Sequence, residues 1–237
     1  MARKGNRRHL KRLATINALA ISEKKAKKFI TKALPGRHEK IVWPIVVLLR
    51  DKINVAKTTK EVKYLLNKGV VKVDGKVVKE RKYPIGLFDI IDIGDERYII
   101  VLDKKGRLTY KKVDKNAINY DKPLRIKNKV AITTNTWQLT FHDGRTKLVN
   151  DKSFKIGDTL VLDLNSKEIK DVVKPEKGKS CLITKGKHAG KIASFQELLH
   201  VAEKKKEAKL LTEDMQEIIT RFDYLFFLPE NFVSIIK

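Results

Sequence analysis

Hydrophobic and polar positions fall into a readable rhythm from residue 44. "PIVVLLRDKI" (44–53) is apolar on nearly every side of a short helix, and Pro44 suits its first position, where no backbone N–H is needed. Thr58 and Glu61 have the spacing of a capping box, and Val62, Leu65 and Leu66 form the stripe of the helix they open. Gly69 suits that helix's end. The period then drops to two. In "GVVKVDGKVV" (69–78) two valine-rich runs flank Asp74-Gly75, which predicts a type I′ hairpin because both turn residues need φ > 0. Val71 and Val73 are expected to point inward and Lys72 outward. "YPIGLFDIIDI" (83–93) adds a strand, so 44–93 reads as a small α-then-β unit.

Residues 94–172 read as all-β. Short apolar runs are separated by Lys105-Gly106, Asp143-Gly144, Gly157-Asp158 and Asn165-Ser166. Trp137, Leu139 and Phe141 alternate on one face, as do Leu160, Leu162 and Leu164, the pattern of a small sandwich or barrel. In 173–237, "KGKSCLITKGKHAGKIASF" predicts two strands around a glycine-bearing loop, and "YLFFLPENFVSII" predicts strand. Between them, 196–220 has helical composition, so a helical excursion competes there with barrel strands.

Charge changes what these elements are for. Lys+Arg number 53 against 28 Asp+Glu, a net +25 on 237 residues, which points to a polyanionic partner. Nucleic acid is the leading candidate. An anionic membrane surface is the other, although no apolar stretch is long enough to span a bilayer and the N-terminus lacks a signal peptide's apolar core. One cysteine, Cys181, leaves no internal disulfide and no CxxC metal site, so a soluble intracellular protein is expected.

The excess peaks in residues 1–40, where thirteen Lys/Arg face Glu23 and Glu39. Apolar residues are too few there for a separate core. An extension over 1–43 that orders on RNA is expected, with Arg3, Lys4, Arg7, Arg8, His9, Lys11, Arg12, Arg37 and His38 meeting the nucleic acid. A merely solubilising tail is the alternative. Lys57, Lys60 and Lys63 sit around the helix start at Thr58, where backbone N–H groups and ammonium groups together make a phosphate site, and Thr58 is counted with them among the expected RNA contacts. Arg50, Lys72, Lys76, Lys79 and Lys82 lie in the same unit and join that expected face. The bland alternative is a solvated helix surface.

"PIVVLLRDKINVAKTTKEVKYLLNKGVVKVDGKVVKERKYPIGLFDII" resembles the alpha-L RNA-binding domain, with "GVVKVDGKV" (69–77) its closest match. That resemblance implies two short helices and a hairpin presenting a basic face to structured RNA. "TKGKHAGKIASF" (184–195) resembles a KOW motif, in which Gly186 and Gly190 would shape the loop of an SH3-like barrel and Lys185, Lys187, His188 and Lys191 would project. The order of parts is more specific than either motif. A basic arm, the alpha-L unit, a β domain with "TFHDGR" (140–145) and "KIGDTLVLDL", then the KOW loop, resemble the archaeal and eukaryotic small-subunit ribosomal protein four family, the "e" type. The resemblance spans essentially the whole chain and weakens after about residue 193.

It implies a structural constituent of the small ribosomal subunit in the cytoplasm, contacting ribosomal RNA, with Arg145 among the contacts, and neighbouring ribosomal proteins. No membrane, small-molecule substrate or cofactor is implied. The absence of the long tail of eukaryotic members points to an archaeal one. The fold expected is α+β, multidomain and β-rich: a basic extension (1–43), an alpha-L domain (44–93), a central all-β domain (94–172) and a C-terminal SH3-like KOW barrel (173–237).

Alpha-L domains also serve RNA-modifying enzymes, and both modules occur in non-ribosomal RNA-binding factors, so both classes stand as alternatives. Pseudouridine synthases carry "GRLD", whose aspartate is the nucleophile; this chain has "GRLT", with Thr109 in its place. Gly178-Lys179-Ser180 ends like a P-loop, but residue 173 is valine where the loop needs glycine. The five histidines lack metal-ligand spacing, and Cys181 lies in an apolar run typical of a core cysteine. No catalytic residue and no metal site is expected.

Overall fold

In the computed structural model, which describes residues 9–21, 23–38, 41–114, 120–202, 205–212 and 215–236, the valine alternation around Asp74-Gly75 pairs as a hairpin. Asp74 and Gly75 take φ 51° and 77°, the left-handed pair of a type I′ turn. Val71 and Val73 are fully buried, and Lys72 is exposed.

Among the described residues, three five-stranded antiparallel sheets carry the chain. The first runs in the order Lys76–Val77, Val71–Val73, Ile90–Ile93, Glu96–Leu102 and Leu108–Val113. The expected boundary at 93/94 therefore falls inside a sheet. Ile93 pairs with Glu96 across Gly94-Asp95, with Gly94 at φ 58°, so the chain doubles back at once instead of leaving for a new domain. The second sheet runs Thr146–Val149, Trp137–Phe141, Asp121–Ala131, Thr159–Asp163 and Ile169–Val173. It buries Leu124, Ile126, Leu139, Phe141, Leu160 and Leu162, which include two members of each alternating set read from the sequence; Trp137 is half-buried, and half-buried Leu164 packs against the largest core instead.

The third sheet runs Glu217–Arg221, Lys205–Thr212, Ile192–Ala202, Ser180–Ile183 and Leu225–Phe227. Of the two readings open over 196–220, the described residues take the strand and leave no helical excursion among them. Ala208, Leu210 and Thr212 are buried at period two, and pairing on both sides of Lys205–Thr212 outweighs the helix propensity of its Lys, Glu and Ala residues.

The helix after Pro44 begins at Ile45, one residue later than expected, because Pro44 is extended and pairs with Pro84. It runs for Ile45–Val47 and widens into a π-helix over Leu48–Lys52, with Ile45 to Leu49 all fully buried. The helix Thr59–Asn67 packs Val62 and Leu66 inward.

The N-terminal segment is also corrected. Its described residues, 9–21 and 23–38, lie on the 44–113 unit. Leu10–Lys11 pairs with Phe29–Ile30, and Leu19, Ile21 and Ile30 join the largest hydrophobic core. The Trp43 indole N–H donates to the Leu19 carbonyl at 2.7 Å, and Lys52 donates to the Ala20 carbonyl at 2.5 Å. Too apolar-poor for its own core, the segment borrows another. The same core takes Phe226, Leu228 and Phe232 from the C-terminal region, so it ties the two ends of the chain to the first sheet.

Candidate nucleic-acid interface

The hairpin turn has a second use that its sequence hides. Asp74 is buried, and its carboxylate accepts from the Ile90 backbone N–H at 3.0 Å. It also accepts from Arg37 at 2.6 Å, Arg145 at 2.6 Å and Lys122 at 3.0 Å. Asp89 accepts from Lys122, from Arg37 at 3.1 Å and from the Gly86 N–H at 2.9 Å, and lies 2.8 Å from the His38 ring. Asp143 lies 3.1 Å from Arg145 and 3.5 Å from Lys122. Three carboxylates and three cations close a neutral set that joins the N-terminal segment, the first sheet and the second.

Burial alone would raise Asp89; Lys122, His38 and Arg37 outweigh it and hold its carboxyl well below the usual range. Asp143 is lowered the same way against burial, chiefly by Lys122. Burial would lower Lys122, but Asp74, Asp89 and Asp143 raise it, so a fully buried ammonium stays charged. His142 stands beside this set with its ring 5.0 Å from Phe226, and burial pushes it down to about 3.

Arg37, His38 and Arg145 were expected at RNA. The structure places them in this set, with side-chain exposures of 18%, 4% and 30%. Arg12 and Arg50 are likewise turned to a carboxylate. Arg50 grips Asp51 through two N–H groups at 2.7 and 3.0 Å, and buried Arg12 lies 3.8 Å from the same residue. Arg3, Lys4, Arg7 and Arg8 lie outside the described residues.

The lysines have the opposite setting. Lys57, Lys60, Lys63, Lys72, Lys76 and Lys79 are exposed, and Lys82 is half-buried. The capping box forms: Thr58 Oγ1 accepts from the Glu61 N–H at 3.3 Å, and Glu61 accepts from the Lys57 N–H at 2.8 Å. These hydrogen bonds hold the Glu61 carboxyl below its usual range, the one from the Lys57 backbone foremost. The helix start thus already holds a negative group, which leaves the lysine ammonium groups as its means of meeting a phosphate. Lys63, Lys79 and Lys82 line one crevice of ≈ 400 Å³ with Asn67, Glu80 and Arg81. Arg81 was missed in the sequence; only its place in the charged run "KERK" marks it.

Lys72 and Lys76 do not share a face. Lys72 pairs with Val77 and Val73 with Lys76, so the register puts the two lysines on opposite sides of the ladder.

In the loop 184–195, Gly186 and Gly190 take φ 93° and 88°. A side chain on Gly190 would put its Cβ 1.9 Å from the Asp103 carbonyl, so glycine is required for the loop to lie on the Asp103–Gly106 turn. Lys185 and Lys187 are exposed, and His188 and Lys191 are half-buried. Lys11 is exposed on the first two-stranded ladder, and His9 is exposed just before it. Thr109, the residue set against a synthase nucleophile, is an ordinary member of the strand Leu108–Val113, opposite Val101.

Residues 94–169 match the family model described as "Ribosomal family S4e". The chain is 35% identical over 242 residues to the small ribosomal subunit protein eS4 of Methanocaldococcus jannaschii, covering 98% of each chain. It is 38% identical over 198 residues to the eS4 protein of Nanoarchaeum equitans, covering 81% of this chain and 83% of that one. The crystal structure of the 30S ribosomal protein S4e from Thermoplasma acidophilum superimposes with a TM-score of 0.69 at 29% identity, over 80% of this chain and 96% of that one. A β-rich chain of several sheets, more than 30% identical to relatives over 81% to 98% of its length, has one placement: it belongs to the eS4 family of small ribosomal subunit proteins.

Proposed function

We infer that this chain is a structural constituent of the small ribosomal subunit, held on ribosomal RNA beside other ribosomal proteins. The observation that carries the inference is the alignment over 98% of both this chain and a relative named for that subunit, so the kinship is not confined to one module. The family is one of ribosomal structural proteins, so the chain is not an enzyme.

Binding proceeds through phosphates and shape, because side chains cannot read the narrow major groove of A-form RNA. Each lysine that meets a phosphate releases counterions. The distribution of charge supports this reading. Asp74, Asp89, Asp92, Asp143 and Asp158 are buried, while the lysines of 57–82 mostly face solvent. Buried Asp74, Asp89 and Asp143 are matched by Arg37, Lys122 and Arg145, and Asp92 by Arg97, so the chain's net positive excess stays with the remaining cations, of which these lysines are part. On this reading the 44–113 unit presents an alpha-L face through Lys57, Lys60, Lys63, Lys79, Arg81 and Lys82, and 184–195 works as a KOW loop through Lys185, Lys187, His188 and Lys191. Among the described residues no helix is long and apolar enough to cross a membrane.

Sedimentation of a cell lysate in high salt tests the inference. Stoichiometric co-migration with small subunits is the expected result. A free or sub-stoichiometric pool would instead identify an RNA-binding factor.

A further inference from the structure

The ladder between Leu10–Lys11 and Phe29–Ile30 displays an aromatic side chain that no packing explains. Ile30 points into the core at 8% exposure, while Phe29 beside it stands out at 49%. Phe29 is not on a loose end: Leu10 pairs with Ile30, Lys11 with Phe29, and the Arg12 N–H donates to the Lys28 carbonyl at 3.0 Å. The exposed His9 ring lies 5.5 Å from the Phe29 ring at 46°, and Lys28 Nζ lies 5.6 Å from its centroid. Lys11 is its cross-strand partner and shares its face.

Held in place beside a second ring, the exposed Phe29 ring is available to an occupant. The surrounding charge selects it. Lys11, Lys25, Lys27 and Lys28 are exposed, and Glu23 is the one acid between residues 9 and 38. A polyanion that also carries flat π-faces fits both features, and RNA is such a polyanion. Within a duplex those faces are already stacked, so the fitting partner is an unpaired nucleotide. We propose that His9 and Phe29 form a stacking platform for one unpaired RNA base, with Lys11 and Lys28 placed for its phosphates. The proposal rests on the RNA-binding reading above and adds to it a second kind of contact.

The test uses the full chain and two probes: a single-stranded oligoadenylate carrying 2-aminopurine, and an RNA duplex of equal charge. Phe29→Leu keeps the apolar volume and removes the ring. It is expected to weaken binding of the single strand by roughly ten- to a hundredfold and to abolish 2-aminopurine quenching, the loss due to one base–aromatic stack. Duplex binding is expected to stay unchanged, and Phe29→Tyr to retain both affinity and quenching. If Phe29→Leu leaves the single strand bound and quenched, the platform is overturned while RNA binding stands, and the ring faces a protein neighbour. Equal losses on single strand and duplex overturn it too, as a structural effect. Failure of the unsubstituted chain to bind either probe would remove the RNA-binding reading itself.

Discussion

Arg37, Lys122 and Arg145 form one triplet of cations and Lys57, Lys60 and Lys63 another, with the same formal charge and opposite surroundings. The first triplet meets Asp74, Asp89 and Asp143 in a set that sums to zero. The second is exposed on one short helix and the residues leading into it. A count of basic residues cannot separate them, because it registers a cation whether or not a carboxylate folds against it. What separates them is topology. Arg37 comes from the N-terminal segment, Asp74 and Asp89 from the first sheet, and Lys122, Asp143 and Arg145 from the second, so no local stretch contains the neutral set. The interior therefore absorbs three lone-looking cations and the chain's excess of positive charge is left for the rest.

Removing the ammonium at the middle of the inner set should give the largest effect. Lys122→Met leaves three carboxylates gathered in the interior with one cation fewer. Breaking a buried ion set in this way costs about 3–5 kcal/mol. A denaturant titration should show that loss, while the salt dependence of RNA binding, measured on the folded fraction, should keep its slope. A loss below about 1 kcal/mol would show that water reaches the set and that it behaves as a surface network.

Acid should act next. His142 is depressed to about 3 in the folded chain, and an unfolded histidine titrates near 6.5. Between those values the unfolded chain takes up a proton that the folded chain refuses, so stability falls as pH falls, by about 1.4 kcal/mol per pH unit. Asp89 and Asp143 are depressed as well, so their contribution is complete above the usual carboxylate range and is lost as pH drops through it. Two phases are expected in unfolding free energy against pH. The first starts near pH 6.5, where an unfolded histidine titrates, and the second below about 4. His142→Gln should erase the first and keep the second. The groups facing His142 are Asp143, His38, Lys122 and Asp89.

The elements that were legible in the sequence are those whose information is local. The Asp74-Gly75 turn, the Thr58–Glu61 cap and the alternation at Trp137–Phe141 each depend on residues within a few positions of one another. What was not legible depends on partners far away. Lys205–Thr212 is helical in composition and became a strand because both neighbouring strands pair with it. Leu19 and Ile21 look like isolated apolar residues in a basic arm until Trp43 and the main core lie against them. Of the proposed interface, the lysines around Thr58 could be read directly, since an exposed charge needs no partner. The use of Arg37 and Arg145 could not, and Lys122 shows only as one lysine among many in "NYDKPLRIK".

The outer triplet gives the reverse of the Lys122 result. Replacing Lys57, Lys60 and Lys63 together by Gln should change stability by under about 0.5 kcal/mol, as surface substitutions do. RNA affinity should fall, and the slope of log affinity against log salt should shrink by roughly 0.7 to 0.9 for each phosphate no longer neutralised. Arg145→Gln should do the opposite, lowering stability with the slope intact. If both variants moved the slope equally, the division between inner and outer cations would fail as a guide to RNA binding.

Thr58 sets the finest version of the comparison, because it stands at the helix start among the outer lysines yet serves the fold. Its hydroxyl oxygen accepts from the Glu61 N–H and its O–H donates to the Glu61 carboxylate at 2.8 Å. Thr58→Ala should cost about 1 kcal/mol or less, since Glu61 still accepts from the Lys57 N–H. Thr58→Ser should restore it. As a cap, Thr58 should affect RNA affinity only through the helix that carries Lys60 and Lys63, so both substitutions should bind RNA equally well at a temperature where both are folded. A loss of affinity in Thr58→Ala at that temperature, regained in Thr58→Ser, would move Thr58 from the fold to the interface.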